Sequence, residues 1–316
     1  MAIEVISIGS SSSGNSYIIL AGGRTILLDV GLTAKRILSA LEHFDIQAEE
    51  IDAVLITHEH TDHVKSVRAI SRKCCNAVFY ASRGTVNGTA NFSYVPEERL
   101  RIVKAGDSMV LRPSSGTVRP VTGNEKDIVI SVFPLSHDAR EPVGYTVRCG
   151  GDKLAVVTDT GTVTEEIFAA IEDANKFVFE ANHDEHLLMF GEYPYPLKQR
   201  IKSEFGHLCN DYAGVILARV MSAHFENAHP ETGAFAASAR EEYVDMYDDV
   251  EIPEEETANM TDDSAVSIML AHLSEHNNLP LYASQAVEAA LKESGFLRGK
   301  HYRLSIAAKE TLTVMK

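Results

Sequence analysis

The chain has 316 residues, a formal net charge of −16 and 45% hydrophobic residues, with no Trp. This is an ordinary soluble globular composition, long enough for one large domain or two small ones, with a core resting on Ile, Val, Leu and Ala. Averaged over the chain, the acidity argues against a broad basic surface for nucleic acid or anionic membrane. In chain order, EVISIG, NSYIIL and RTILLDVG read as strands parted by the SSSSGN loop and the Ala21-Gly22-Gly23 turn. LTAKRILSALEHF, apolar at Leu32, Ile37, Leu38 and Leu41, predicts an amphipathic helix. IDAVLIT is a continuous apolar run typical of a buried strand. Further strands are predicted at AVFYA, DIVISVFPL, VGYTVRC, KLAVVTD and KFVFEA, and helices at VTEEIFAAIEDA and most of DYAGVILARVMSA. SAVSIMLAHL reads either as a buried strand or as a short helix, and periodicity alone does not decide. SQAVEAALKESGF and YRLSIAAK close the chain as a helix and a strand. Strands in hairpins followed by strand–helix alternation predict layered sheets covered by helices.

The acidity is local. Residues 224–263 hold thirteen acidic side chains against Arg240 alone, so −12 of the −16 lies there. This stretch is predicted to be an acidic insertion within the domain, a solvated surface excursion or an edge lid. Within it, AFAASAREEYVDMY has helical spacing at Ala236, Ala239, Tyr243 and Tyr247. The N-terminal residues show neither a basic n-region nor a long apolar h-region, and no window reaches the roughly 18 apolar residues of a membrane span. Cys74, Cys75, Cys149 and Cys209 form no CxxC pair. A reduced cytoplasmic protein without membrane contact is the expectation.

The chemistry concentrates in Thr57-His58-Glu59-His60-Thr61-Asp62-His63, directly after IDAVLIT. If the backbone stays extended, His58, His60 and Asp62 share one side of the chain, and a turn before Val64 returns His63 to the same region. Imidazoles and a carboxylate suit Zn²⁺, Mn²⁺ or Fe²⁺ without any cysteine.

HEHTDH matches HxHxDH, and here the sequence resembles the metallo-β-lactamase superfamily. The resemblance implies an α/β fold, an αββα four-layer sandwich of two mixed β-sheets packed face to face with helices outside, formed by residues 1–316 as one domain. It implies two divalent metal ions per chain, Zn²⁺ or Mn²⁺. His58, His60 and His137 would hold the first, Asp62, His63 and His272 the second, and Asp159 would bridge them. Asp29 would orient the ligand loop from behind. Taken singly, Asp29 and Asp159 also suit strand-end turns, His137 an ordinary loop, and His272 a satisfied buried histidine.

GSSSSGNSYII, SHDAREPVGY, TDTG, EANHDEHLL, YPLKQRIKSEFGHLCN and HLSEHNN further resemble the YycJ/WalJ group of cytoplasmic DNA exonucleases, with Cys209 where a small Ser is expected. That resemblance implies a 5′→3′ exonuclease acting on DNA through a hydroxide shared by the metals, with Asp62 able to orient or deprotonate it. His183 and His207 are candidate phosphate binders or general acids. Ser13 and Asn15, in the small-residue loop, are candidate substrate contacts or parts of a plain turn. Lys198, with Arg200 and Lys202, could track a DNA backbone or form a solvated helix face. An RNA phosphodiesterase or a glyoxalase II-like thioesterase would use the same ligands.

Overall fold

Both faces of the central strands are apolar, and alternation sorts them into separate layers. In β1 (Ile3–Gly9), Ile3 and Val5 enter one cluster while Ile6 and Ile8 enter another. β2 (Ser16–Ala21), β3 (Arg24–Leu28) and β4 (Ile51–Leu55) divide in the same way, Leu28 and Leu55 facing one layer and Leu27 and Val54 the other. β5 (Val78–Ser82) and β6 (Leu100–Val103) extend this sheet. The second sheet is built from β7 (Ser108–Leu111), β8 (Ile128–Pro134), β9 (Val143–Cys149), β10 (Asp152–Val157), β11 (Lys176–Glu180), β12 (Val266–Ala271) and β13 (Tyr302–Ile306). β14 (Thr313–Val314) returns to pair with β1. The computed structural model describes residues 3–111, 127–228 and 265–315.

The strand orders are β14-β1-β2-β3-β4-β5-β6 and β13-β12-β11-β10-β9-β8-β7. Each sheet runs antiparallel through three pairings and parallel through three, so both are mixed. Side chains of both sheets meet in one apolar layer that includes Tyr17, Tyr145, Leu55 and Val178. The first sheet's outer face is covered by α1 (Ala34–His43), α2 (Thr61–Val64) and α3 (Val67–Lys73). α4 (Arg83–Gly88) follows β5 directly. The second sheet packs against α5 (Glu165–Ile171), α8 (Asn210–Ala228) and α9 (Pro280–Glu293). α6 (Glu185–Phe190) and α7 (Tyr195–Ile201) lie between β11 and α8 in the chain. The result is the expected αββα sandwich. Each fully buried Ile or Leu contributes about 1.5–3 kcal/mol to it.

SAVSIMLAHL resolves as strand β12. It lies between two parallel neighbours, and all six of its residues are buried, which erases any amphipathic period. The acidic stretch does not begin as an excursion. Residues 224–228 complete α8, and the Phe225 ring stacks on Phe296 at 5.6 Å. Residues 229–263 of the expected insertion, including the predicted helix, lie outside the described residues. Among the described residues no helix is long and apolar enough to cross a membrane.

Candidate metal centre

The candidate ligands and the carboxylate behind them sit just beyond strand ends. Asp29 follows β3, His58 and His60 follow β4, His137 follows β8, Asp159 follows β10, and His272 follows β12. Loops beyond the carboxyl ends of parallel strands converge, which is why ligand sites form there. The loops after β1 and β3 are both locked to the loop after β4: Asn15 N donates to Asp62 O at 2.8 Å and Val30 N to His63 O at 2.9 Å. Gly31 is required at this crossing, since a Cβ there would lie 1.5 Å from Asp62 O. Asp29, Asp159 and His272 all adopt left-handed backbone, with φ of 53°, 57° and 55°. Such conformations cost about 1–3 kcal/mol each in non-glycine residues and persist where surrounding structure enforces them. At His272 that enforcement comes from Ser10 Oγ, which accepts its N–H at 2.8 Å, and Asn182 Nδ2, which donates to its carbonyl at 2.8 Å.

The extended-strand argument fails: the chain already bends at Glu59, although the His58 and His60 rings still lie 4.6 Å apart, and Asp62 is not on a strand at all. His60 is the N-cap of α2, so Asp62 and His63 both stand on its first helical turn. Helical geometry, not alternation, brings Asp62 to the cluster, where its Oδ2 lies 3.4 Å from His63 Nε2 and 3.7 Å from His272 Nε2.

Ligand atoms fall into four overlapping groups within 4.8 Å: His58, His60 and His137; Asp62, His63 and His272; His58, His63 and Asp159; and Asp159, Glu180, His207 and His272. Asp159 stands between the first two, with Oδ2 3.3 Å from His63 Nε2, and Oδ1 3.4 Å from His272 Nε2 and 3.8 Å from His137 Nε2. The imidazoles are oriented from behind. His63 Nδ1 lies 2.8 Å from Asp29 Oδ2, His272 Nδ1 2.9 Å from Glu180 Oε1, and His137 Nδ1 3.1 Å from Gly206 O. Donation of Nδ1–H to these acceptors leaves each Nε2 lone pair turned inward, the arrangement a metal ligand needs. His58 Nε2, His272 Nε2 and Asp159 Oδ2 are buried without a hydrogen-bond partner. Buried polar atoms seldom stay unsatisfied, and these converge on one place. The residues fit a divalent cation centre.

The same packing sets the charges. Burial, with the facing His63, His137 and His60, holds His58 well below the ordinary imidazole value. Burial also lowers His137. Burial opposes charge on His63, yet Asp159, Asp29 and Asp62 lift it well above its ordinary value. His272 rises to about 10, because Asp159, Asp62 and Glu180 overcome its burial. Burial would raise the Asp62 carboxyl, but His63 and His272 hold it far below the usual carboxylate range. Without metal the centre therefore stores protons on two of its histidines, and cation binding must release them.

Glu180 is the residue that sequence reading missed. It is fully buried at the end of β11, with Oε1 2.8 Å from His207 Nδ1 and 2.9 Å from His272 Nδ1. Its Oε2 accepts from Thr160 N at 3.0 Å and Leu208 N at 3.2 Å. The available signal was a lone carboxylate directly after the buried apolar run Phe177–Phe179, since buried charge demands partners.

Of the remaining candidates, His207 joins the centre, its ring 5.0 Å from that of His137 and 5.1 Å from that of His272. His183 is not among the clustered donors. It is 1% exposed, forms a bridge with Cys209, and is pushed down to about 4 by burial. Asn15 is also buried, with Nδ2 3.2 Å from His63 Nε2, so it supports the ligand loop instead of facing substrate. Ser13 is exposed and bonds Glu275. Lys198 corrects the sequence expectation: its ammonium is buried and donates to Met189 O at 2.8 Å and Gly191 O at 2.7 Å, which removes it from any DNA backbone. Arg200, by contrast, stays exposed beside Asp138.

Residues 24–225 match the family model described as the β-lactamase superfamily domain. The exodeoxyribonuclease YycJ of Bacillus anthracis is 29% identical over 305 residues, 96% of this chain and 95% of that one. The exodeoxyribonuclease WalJ of Streptococcus pneumoniae is 33% identical over 217 residues, 68% and 75% of the respective chains. Among solved structures, the metallo-β-lactamase fold protein YhfI from Bacillus subtilis superposes with a TM-score of 0.60 at 13% identity, covering 99% of this chain and 100% of that one.

Proposed function

The chain belongs to the β-lactamase superfamily and is a metal-dependent hydrolase, and from that premise we propose that it is a dinuclear 5′→3′ DNA exonuclease. The observation that carries the dinuclear reading is the pair of donor groups, His58/His60/His137 and Asp62/His63/His272, with Asp159 between them. The names of the relatives supply the substrate class and support DNA. The charge of the chain does not oppose it, because −12 of −16 falls within residues 224–263.

In this reading His58, His60 and His137 would hold one divalent ion, Zn²⁺ or Mn²⁺, Asp62, His63 and His272 would hold the other, and Asp159, which stands between the two groups, would serve both. Such ions, when bound, polarise the phosphoryl group and supply a water acidic enough to attack at neutral pH. Asp62 remains ionised and 23% exposed, so it can accept a hydrogen bond from the attacking water and orient it, while a carboxyl held so far below its usual range is too weak a base to keep the proton. His207, 19% exposed and tethered through Nδ1 to Glu180, can present a proton to the departing 3′-oxygen. His183, buried and neutral at pH 7, does not take that role. Asp29, Glu180 and the Gly206 carbonyl orient imidazoles.

The test is digestion of end-labelled linear duplex DNA by purified protein with Mn²⁺ or Zn²⁺, beside Asp159→Ala and His58→Ala. Ordered release from the 5′ end, lost in both variants, is expected. Equal slow degradation by all three proteins, or a preference for thioesters, would sink the proposal. Elemental analysis should find two ions per chain.

A further inference from the structure

Resting on the nuclease reading, we propose that residues 185–207 form a platform for single-stranded nucleic acid, with Phe205 stacking on a base and Arg200 binding a backbone phosphate. Phe205 sits between two peptide carbonyls tied to the His137 loop. Ser136 Oγ donates to Glu204 O at 2.7 Å, and His137 Nδ1 lies 3.1 Å from Gly206 O. Its ring is nonetheless 52% exposed at the edge of the centre. A large aromatic held on a fixed backbone and left in water offers a π-face to a ligand. Arg200 is tied to the same 136–138 loop, its side chain 57% exposed and its Nε bonded to Asp138 Oδ2. Asp138 Oδ1 in turn lies 3.4 Å from His137 Nε2, so the guanidinium is positioned one carboxylate away from the centre. Only Nε bonds Asp138, which leaves the Nη donors for a phosphate oxygen.

Tyr195 and Phe190 of the same segment are also exposed, at 66% and 78%, Phe190 with its ring 4.4 Å from that of His186. The buried Lys198 ammonium explains how they are presented, since it ties the carbonyls of Met189 and Gly191 and stiffens the turn between α6 and α7. Exposed aromatic faces combined with a cation hold single strands without reading sequence. Their continuity with the His137 loop selects a strand leading into the centre over a separate protein partner.

The test uses metal-loaded protein and a short labelled single strand with phosphorothioate linkages, read by fluorescence anisotropy across a salt series. Phe205→Ala should weaken binding about 5- to 150-fold, and Phe205→Tyr should restore it. A strand of abasic sites, with the same phosphates, should bind Phe205→Ala and wild type equally. Arg200→Ala should reduce the slope of log K against log salt by about 0.7, and Arg200→Lys should keep it. Equal weakening of normal and abasic strands by Phe205→Ala, or an unchanged salt slope in Arg200→Ala, would overturn the platform and leave the nuclease reading intact. Wild type that hydrolyses bis(p-nitrophenyl) phosphate yet binds no strand would overturn both platform and nucleic-acid substrate, with hydrolase chemistry surviving.

Discussion

Replacing Glu180 by Gln separates orientation from ligation, because Glu180 touches two imidazoles without belonging to either of the histidine donor groups flanking Asp159. Its Oε1 serves His207 and His272 and its Oε2 serves two backbone N–H groups, so four donors converge on one carboxylate. An amide cannot satisfy all four. With its oxygen towards the histidines, its NH₂ confronts the N–H groups of Thr160 and Leu208. With its oxygen towards the backbone, its NH₂ faces both Nδ1 atoms and forces them to accept, which puts the proton on Nε2. For His272 that tautomer removes the lone pair that would face the cation. Loss of such an outer partner costs 10–100-fold in metal affinity or activity, or about 1.4–2.7 kcal/mol. Zn²⁺ titration against a chromogenic chelator should show one of the two sites weakened by that factor. Elemental analysis and a thermal melt verify that the fold persists. Two sites of wild-type affinity, with wild-type kcat/KM, would refute the argument that Glu180 fixes the His272 tautomer.

Lys198→Met leaves the Met189 and Gly191 carbonyls without their donor and should lower stability by about 2 kcal/mol in denaturant melts. The salt slope of strand binding should not change; a reduced slope would return Lys198 to the phosphate backbone. His183 has its folded pKa depressed to about 4 against about 6.5 unfolded, so its contribution is complete above pH 6.5 and is lost as pH falls towards 4. His183→Gln should flatten the stability–pH curve over that window, and an unaltered curve would contradict its burial as the neutral form. His272 has the opposite sign: in stripped protein its raised pKa stabilises fully below about pH 6.5, and that stability is lost as pH rises towards 10. Since ligation needs the neutral ring, the gap in Tm between loaded and stripped protein should widen from pH 6.5 to pH 9. A constant gap would argue against His272 as a ligand.

The strands were legible because both of their faces are buried, which produces continuous Ile/Val/Leu runs such as IDAVLIT and KLAVVTD. The donors were legible because they end those runs. What stayed hidden depended on the third dimension. β6 and β7 are edge strands of four residues each, too short to show a period. Asp62 reaches the cluster by a helical turn and not by strand alternation, and nothing local in the sequence announces that α2 starts at Thr61. Glu180 and Lys198 look like ordinary solvated charges in one dimension. Their burial follows only once His207, His272 and the end of α6 fold over them. Phe225 shows the converse, a core aromatic disguised by the acidic residues that follow it.

The donors of each triad come from opposite halves of the sandwich. His58 and His60 leave the first sheet and His137 the second; Asp62 and His63 belong to the first, His272 to the second. Neither sheet alone offers either triad complete. A cation held by either triad would therefore act as a rivet across the seam, and its removal should loosen the two halves against each other before either unravels. If the chain were divided between β6 and β7, the pieces would be joined by their shared apolar layer and by a chelator that exists only when both are present. Assembly and chemistry would then depend on the same ions.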